Sequence, residues 1–570
     1  MLRRTVFLSL ATLTLITTGC QTPQTPPSAP VSPLVVDTPS TVANHEFLQR
    51  IAYDPWKLTI GTPDAKTTVA YIADGHTSCL VDGTGNVVRK YVAGHYVANS
   101  LAPTIGNMPD PNPASNDVYS THTAPQELDL RTGTLTTHLN GAVVPFTDPD
   151  VKPRDWSKLW STSDIAIDGD AEAQQVVHAN LFYLLSSTYA GSDHSIPPMG
   201  LSTSIYGGHI FWDADTWMFP ALVVQHPEDA KSIVDYRFKT LAQAKKNAAA
   251  HGFPGAEYAW ESAVTGEETA PQEFARERHI TADVAMAAWQ YYLWTGDLAY
   301  LRKEGWPILQ ASAQYWAKRA TKGADGAYHI TQVLPPDETA GPVDDDAYTN
   351  GVVRSSLIAA VTAAKLAGGS ADPAWSTIAS KLVIPVDKSL GFPAEHQHMA
   401  ATLKAKQADT LLLLYPLNAS YDDATQGKML DFYRAHTITS GPAMTSCINA
   451  VVSARLGRAQ QSLDDFHDAY RPFERGPWDA FSEKRSTSNV YFMTGMAGAL
   501  QSVLYGFAGL EVVPAGQKGN GTRIAGDPVA SLYVHPHLPP GWSKLEIRGI
   551  RFRGKTVDLT VNSGNTVTTK

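Results

Sequence analysis

The alternation of apolar and polar positions divides the chain into three textures. Across residues 46–150 hydrophobic and polar residues alternate in short runs, TTVAYIADG, NVVRKYVAG, ELDLRTGTLTTHL and AVVPF, each bounded by Gly, Pro, Asn or Asp. A period of two with turns at this spacing predicts strands packed as an N-terminal β-sandwich. Residues 151–163 are polar and Trp-containing and read as a linker. Across residues 164–514 the period becomes helical. In PEDAKSIVDYRFKTLAQAKKNAAAHG, Pro227 suits a first helical turn and Glu228 and Asp229 complement the positive end of the helix dipole. Ala230, Ile233, Val234, Phe238 and Leu241 share one face, and Gly252 stands where a helix stops. HITADVAMAAWQYYLWTGD, ILQASAQYWAKRA, SSLIAAVTAAKLAGG and KQADTLLLLYPL repeat the helical period. Several are apolar around most of their circumference, as helices packed on two sides must be. Helices in such numbers, joined by loops, make the chain mainly α and suggest an (α/α)6 barrel with its pocket at one end of the inner helices. Residues 515–570 return to strand alternation, with Gly549 and Gly554 at turns or bulges, and predict a small C-terminal β-domain.

One break in the helical pattern is loaded with chemistry. Residues 331–350, TQVLPPDETAGPVDDDAYTN, contain Pro335 and Pro336, which remove two backbone donors and stop a helix. Asp337 and Glu338 therefore fall on an irregular loop. Asp344, Asp345 and Asp346 follow closely, and crowding of like charges is expected to raise the pKa of at least one carboxyl group. Taken alone, the stretch fits a solvated acidic loop or a loose cation site as well as a catalytic loop.

Four further stretches change that balance. GGHIFWDADTWMFP sets Phe211, Trp212, Asp213, Asp215 and Trp217 between two glycines and Pro220. Flat apolar faces beside carboxylates are what a sugar ring needs, because its C–H faces stack on aromatics while its hydroxyls donate to charged oxygens. PGAEYAWESAVTGEE repeats the theme with Trp260 and Glu261, and LKAKQADTLLLL supplies Lys406 and Gln407 as donors. FSEKRSTSNVYFMTGMAG places Glu483 in a polar loop before a Gly-punctuated helix. Each alone is more often core or helix-terminus chemistry.

Composition and address narrow the picture. A net charge of −10 over 570 residues, with no basic stripe, argues against nucleic acid as a partner. Thirteen Trp and twenty-three Tyr lean toward carbohydrate handling. Residues 1–20, MLRRTVFLSLATLTLITTGC, carry Arg3 and Arg4, a short apolar run and small residues before Cys20, and read as a secretory signal. Thr17-Thr18-Gly19-Cys20 resembles a bacterial lipoprotein box, so lipidation at Cys20 and tethering to a membrane in the periplasm or at the cell surface are expected. Residues 21–45 form a Pro/Thr/Ser tether that cannot build a core. Cys79 and Cys447 are read as buried free thiols, and no metal-ligand pattern is formed.

The order FWDxDTWM, WESAxTGEE, PPDE, VDxxAYTN, KQAD and SE…TGMAGALQ resembles glycoside hydrolase family 65, over roughly residues 164–513. WESAxTG, PPDE and TGMxGxLQ are most similar to its branch of kojibiose hydrolases and protein-glucosylgalactosylhydroxylysine glucosidases. The resemblance implies an inverting, exo-acting α-glucosidase releasing β-glucose from small α-1,2-linked glucosides of the kojibiose type, without a cofactor or metal. It implies Glu338 as general acid and Glu483 as general base, with Phe211, Trp212, Asp213, Asp215, Trp260, Glu261, Asp337, Lys406 and Gln407 around the glucose. YFMTG stands where family phosphorylases carry a histidine-containing phosphate signature, which favours hydrolysis. Thr339-Ala340 departs from the Tyr-His usual after the acid, in the region facing the leaving group. An α,α-trehalase, a disaccharide phosphorylase and a non-catalytic glycan-binding lipoprotein are the alternatives, and the oligomeric state, a homodimer included, is left open.

Overall fold

The computed structural model describes residues 54–60, 66–97, 100–106, 119–121 and 124–570, apart from 272, 401 and 488. The expected signal segment, Cys20 and the tether lie outside the described residues. No helix among the described residues is long and apolar enough to cross a membrane.

The N-terminal region contains two four-stranded antiparallel sheets. One runs in the spatial order Lys57–Ile60, Gln126–Asp129, Thr134–Leu139, Ala142–Pro145, and the other Ala70–Ala73, Thr77–Val81, Val87–Val97, Ser100–Gly106. Alternation sets the buried face, with Leu58, Leu128 and Leu135 inward and their neighbours outward. The expected linker is not wholly irregular, because Trp156–Thr162 is a helix capped by Asp155, whose side chain accepts from the Lys158 amide.

The helical core begins at Ala171–Ser186, capped by Asp170, and ends at Met493–Gln501. Three elements differ from the sequence reading. The single helix expected over residues 227–252 is two, Pro227–Lys239 and Leu241–Ala250, which meet at Thr240 with non-helical backbone (φ −90°, ψ 0°). Thr240 lowers propensity there, and its hydroxyl donates to the Tyr236 carbonyl of the turn before. KQADTLLLL yields only the 3-10 turn Thr410–Leu413, because Pro416 lies too close to allow a longer helix. Asp164–Asp168, expected to start the helical core, is a strand of the C-terminal region.

That region holds two antiparallel sheets, Asp164–Asp168, Lys544–Phe552, Lys555–Asn562, Thr566–Thr569 and Leu510–Pro514, Ala530–Val534, Thr522–Gly526. It thus also claims Leu510–Pro514 from the segment expected to be helical. A strand flanked by a helical run takes its identity from its distant partner, here Asp164 opposite Arg548. Cys79 and Cys447 are free and buried.

Candidate active site

The loop after Pro335-Pro336 forms a single 3-10 turn, Glu338–Ala340, and the helix Ala347–Ala367 starts beyond it with Asp346 as its cap. Asp337 braces this turn. Its side chain accepts from the Thr339 hydroxyl (2.6 Å), the Thr339 amide (3.2 Å) and the Lys406 amide (2.8 Å), while its own amide donates to Asp409 (3.2 Å). Asp337 is 1 % exposed and its Oδ1 takes all three of the bonds its side chain accepts, so it fixes the turn that carries Glu338. Lys406 Nζ then sits 2.6 Å from Glu338 Oε1, with Gln407 buried beside it in sequence.

Two of the five acids are tied up with other partners. Asp344 accepts from the Gln332 amide and Asp345 pairs with His329 at 2.6 Å, so both tie the loop's base. Burial raises the Asp346 carboxyl from its ordinary value, and Asp346 and Asp337 both add to the rise of the buried carboxyls of Asp409 and Glu395.

WDADTWM forms a π-helical turn, Asp213–Met218, that runs into the helix Phe219–Val223. Such turns widen the backbone spiral and are frequent at functional sites. Here it parts two carboxylates. Asp215 is buried and held by the Arg237 guanidinium, whose Nη2 also donates to the Phe211 carbonyl (3.0 Å). This engagement makes Asp215 a strut of the pocket wall, at odds with the expected sugar contact. Asp213 accepts from the Thr494 hydroxyl at 2.6 Å, and burial pushes its carboxyl up to about 6, with the charges of Glu483 and Glu338 adding to the rise.

Trp212 and Trp260 lie 6.3 Å apart at 35°, and Phe211 meets Trp260 edge-on at 5.8 Å. The Trp260 and Glu261 amides are both clamped by Glu268, while Glu261 Oε1 meets His209 Nδ1 at 2.6 Å. Trp217 packs on Trp212 at 5.8 Å, away from this face. Beneath the cage lies a chain the sequence reading missed. His279 touches Trp212 (4.8 Å), Trp260 (5.8 Å) and Tyr348 (5.5 Å) edge-on, and contacts Asp283 at 2.7 Å and Glu277 at 3.3 Å. Burial opposes its charge, but Asp283 and Glu277 outweigh this and raise it to about 9. Glu277 is pushed well above the carboxylate range, chiefly by burial, with Glu338 adding to the rise. The His-x-x-x-Asp spacing from His279, which precedes the helix Ile280–Thr295, to Asp283 in its first turn was the available signal.

Glu483 lies in the loop before Met493–Gln501. Its Oε2 accepts from Tyr206 Oη (2.6 Å) and Asn489 Nδ2 (2.7 Å). Burial, followed by the charge of Glu483, raises the Tyr206 phenol far above its ordinary value, and Asp213 and Glu338 contribute. Asp213 and Tyr206 thus both feel Glu338 and Glu483. Asp213, the Trp212–Trp260 cage, the Glu338–Lys406 pair and Glu483 belong to one electrostatic neighbourhood. Among the described residues, no group of three or more His, Cys, Asp or Glu is arranged to hold a metal ion.

The chain matches the model of the glycosyl hydrolase family 65 central catalytic domain over residues 178–402 and 387–501, and that of the family 65 C-terminal domain over residues 530–570. It is 42% identical to a kojibiose hydrolase of Mucilaginibacter mallensis, over 70% of this chain and 57% of that one. It is 35% identical to a protein-glucosylgalactosylhydroxylysine glucosidase of Danio rerio, over 73% of this chain and 64% of that one. The chain therefore spans somewhat under two thirds of the length of these relatives. A solved structure from the human microbiome, named for kojibiose phosphorylase, shares its fold with a TM-score of 0.68 at 15% identity, over 91% of this chain and 94% of that one. These matches carry the active-site segments and the C-terminal sheet together: the chain belongs to glycosyl hydrolase family 65.

Proposed function

We propose that this chain is an inverting, exo-acting α-glucosidase that releases β-glucose from α-1,2-linked glucosides such as kojibiose. The observation that carries the reading is the pair Glu338 and Glu483, whose charges both reach Asp213 and Tyr206, with Phe211 and Trp212, the two residues before Asp213, both in ring contact with Trp260. In this reading Glu338 donates a proton to the glycosidic oxygen as the anomeric bond breaks. Glu483 removes a proton from the water that attacks the opposite face of the ring. Trp212 and Trp260 face the sugar's C–H surface, and Asp213, Glu261, Lys406 and Gln407 hold its hydroxyls. Lys406 and a leaving-group oxygen compete for Glu338 Oε1, so a glucose hydroxyl that draws Lys406 away frees the acid for its partner.

We further propose that the helical region is the (α/α)6 barrel expected from the sequence, and that the chain is exported and tethered through a lipid on Cys20. The kojibiose hydrolases among its relatives support the linkage. Thr339 points its hydroxyl back at Asp337, which leaves the position after the acid without a long side chain directed at the aglycone.

Assay of kojibiose, nigerose, maltose and α,α-trehalose, with and without phosphate, tests the reading. Free glucose from kojibiose, released as the β-anomer at a phosphate-independent rate, is expected. Glucose 1-phosphate would establish phosphorolysis, preference for trehalose would move the linkage, and inertness toward all four would leave a binding protein.

A further inference from the structure

The turn Ile205–Gly208 has costly backbone geometry. Tyr206, Gly207 and Gly208 all lie in the left-handed region, with φ of 54°, 63° and 66°. Glycine occupies that region freely, but tyrosine pays about 1 kcal/mol or more for it. The N-terminal sheet holds the turn in place. Tyr96 Oη donates to the Gly208 carbonyl at 3.0 Å, and Leu101 packs so closely that a Cβ on Gly208 would lie 2.5 Å from its own Cβ. On the far side, Ile210 and Ser262 exchange backbone hydrogen bonds of 2.8 and 3.1 Å.

This geometry delivers one group. The Tyr206 ring stands edge-on to Phe211 at 5.8 Å, 42 % exposed, and its hydroxyl donates to Glu483 Oε2. Asn489 Nδ2 reaches the same oxygen, and the Asn489 carbonyl oxygen is fixed in turn by the Thr487 hydroxyl (2.5 Å) and the Glu483 amide (3.3 Å). Two donors occupy Oε2, while Oε1 faces the Lys484 ammonium at 3.7 Å.

We propose that Tyr206 is a positioning residue of the hydrolytic reaction. With Asn489 it clamps Glu483 Oε2, so that Oε1 alone receives the proton of the attacking water. The inference rests on Glu483 being the base. In the step, a water O–H bond breaks and its proton passes to Oε1, while the water oxygen bonds to the anomeric carbon. The bond from that carbon to the leaving oxygen breaks, and the leaving oxygen takes the proton of Glu338. A carboxylate free to rotate would present either oxygen at varied angles, and proton transfer falls steeply with misalignment.

Tyr206→Phe keeps the ring and removes one hydrogen bond to a charged group. The expected result is a fall in kcat of about 10- to 100-fold with KM within about threefold. The same substitution is then placed in Glu483→Ala and turnover is measured with azide as nucleophile. With the carboxylate gone, Tyr206→Phe should change that rate by less than about twofold, since interacting residues lose their mutual effect when one is removed. An equal loss in the azide reaction would mean that Tyr206 shapes the pocket generally, and would overturn the proposal. A loss confined to KM would also overturn it, whether or not azide is accepted. Wild-type kcat in Tyr206→Phe beside an inactive Glu483→Ala sinks the proposal alone. An active Glu483→Ala sinks the base assignment and this proposal with it.

Discussion

At the residue scale, the carboxyl groups differ in what surrounds them, and those differences set their expected behaviour. Glu338→Gln removes a proton donor without changing shape. Turnover of kojibiose should fall by about 10²-fold or more, whereas α-glucosyl fluoride, whose leaving group needs little protonation, should lose far less. Equal loss on both substrates would remove Glu338 from the acid's role. Asp213, pushed up to about 6 by burial, carries a pH signature. Because the native state holds this proton more tightly than the unfolded chain, its contribution to stability is fully present below about pH 4 and is lost as pH rises through about 6. Asp213→Asn should flatten that part of the stability–pH curve, measured by urea unfolding between pH 4 and 7. The loop positions of Glu338 and Glu483 were legible in the sequence from Pro335-Pro336 and the polar SEKRST run, whereas the roles proposed for them come from the family resemblance. Tyr206, Glu277 and His279 were not legible. Tyr206 meets its carboxylate across 277 residues, and His279 gains its role only once Trp212 and Tyr348 arrive from other elements.

Among the elements, the π-helical turn Asp213–Met218 depends on a charge pair with almost no exposure, Asp215 with Arg237. Removing one partner strands the other charge in the interior. Arg237→Met should cost about 3–5 kcal/mol in unfolding free energy, and Asp215→Leu added to it should recover part of the loss, because an apolar pair avoids both desolvation penalties. No recovery in the double variant would show that packing around Arg237, and not its charge, sustains the turn. One helix start was legible at this scale, Pro227, which opens its helix as local propensity implies; Gly296 and Gly368, not singled out in the sequence, end theirs in the left-handed region. The split at Thr240 was hidden, since apolar periodicity continues through the break, whereas the short turn at Thr410–Leu413 had a signal in Pro416 that the run of leucines outweighed in the reading.

Across the whole molecule, Asp164 joins the helical core to the C-terminal sheet. Its carboxylate meets His178 of the first core helix at 2.9 Å and Arg548 of the C-terminal sheet, and these partners hold it below the usual range although burial works the other way. A depressed pKa gives stability that is complete above about pH 4 and is lost as pH falls further. Asp164→Asn should therefore lower stability at pH 7 while shallowing the acid-unfolding slope below pH 4, a pair of changes visible in denaturant titrations at both pH values. The strand–helix–strand order of the chain was legible from periodicity. The ownership of Asp164–Asp168 was not, because pairing with Lys544–Phe552 is written nowhere near it.

That pairing sets a timetable for biosynthesis. Asp164 reaches its partner Arg548 only after 384 further residues have been made. At roughly 5–20 residues per second the wait is on the order of 20–80 s. Throughout it Ile165 and Ile167, buried in the finished protein, have no partner strand to cover them. A nascent chain in this interval presents an open apolar strand edge to its neighbours on the same messenger. A gene truncated after residue 529 should accordingly yield insoluble protein, and supplying residues 530–570 in trans should restore part of the soluble yield.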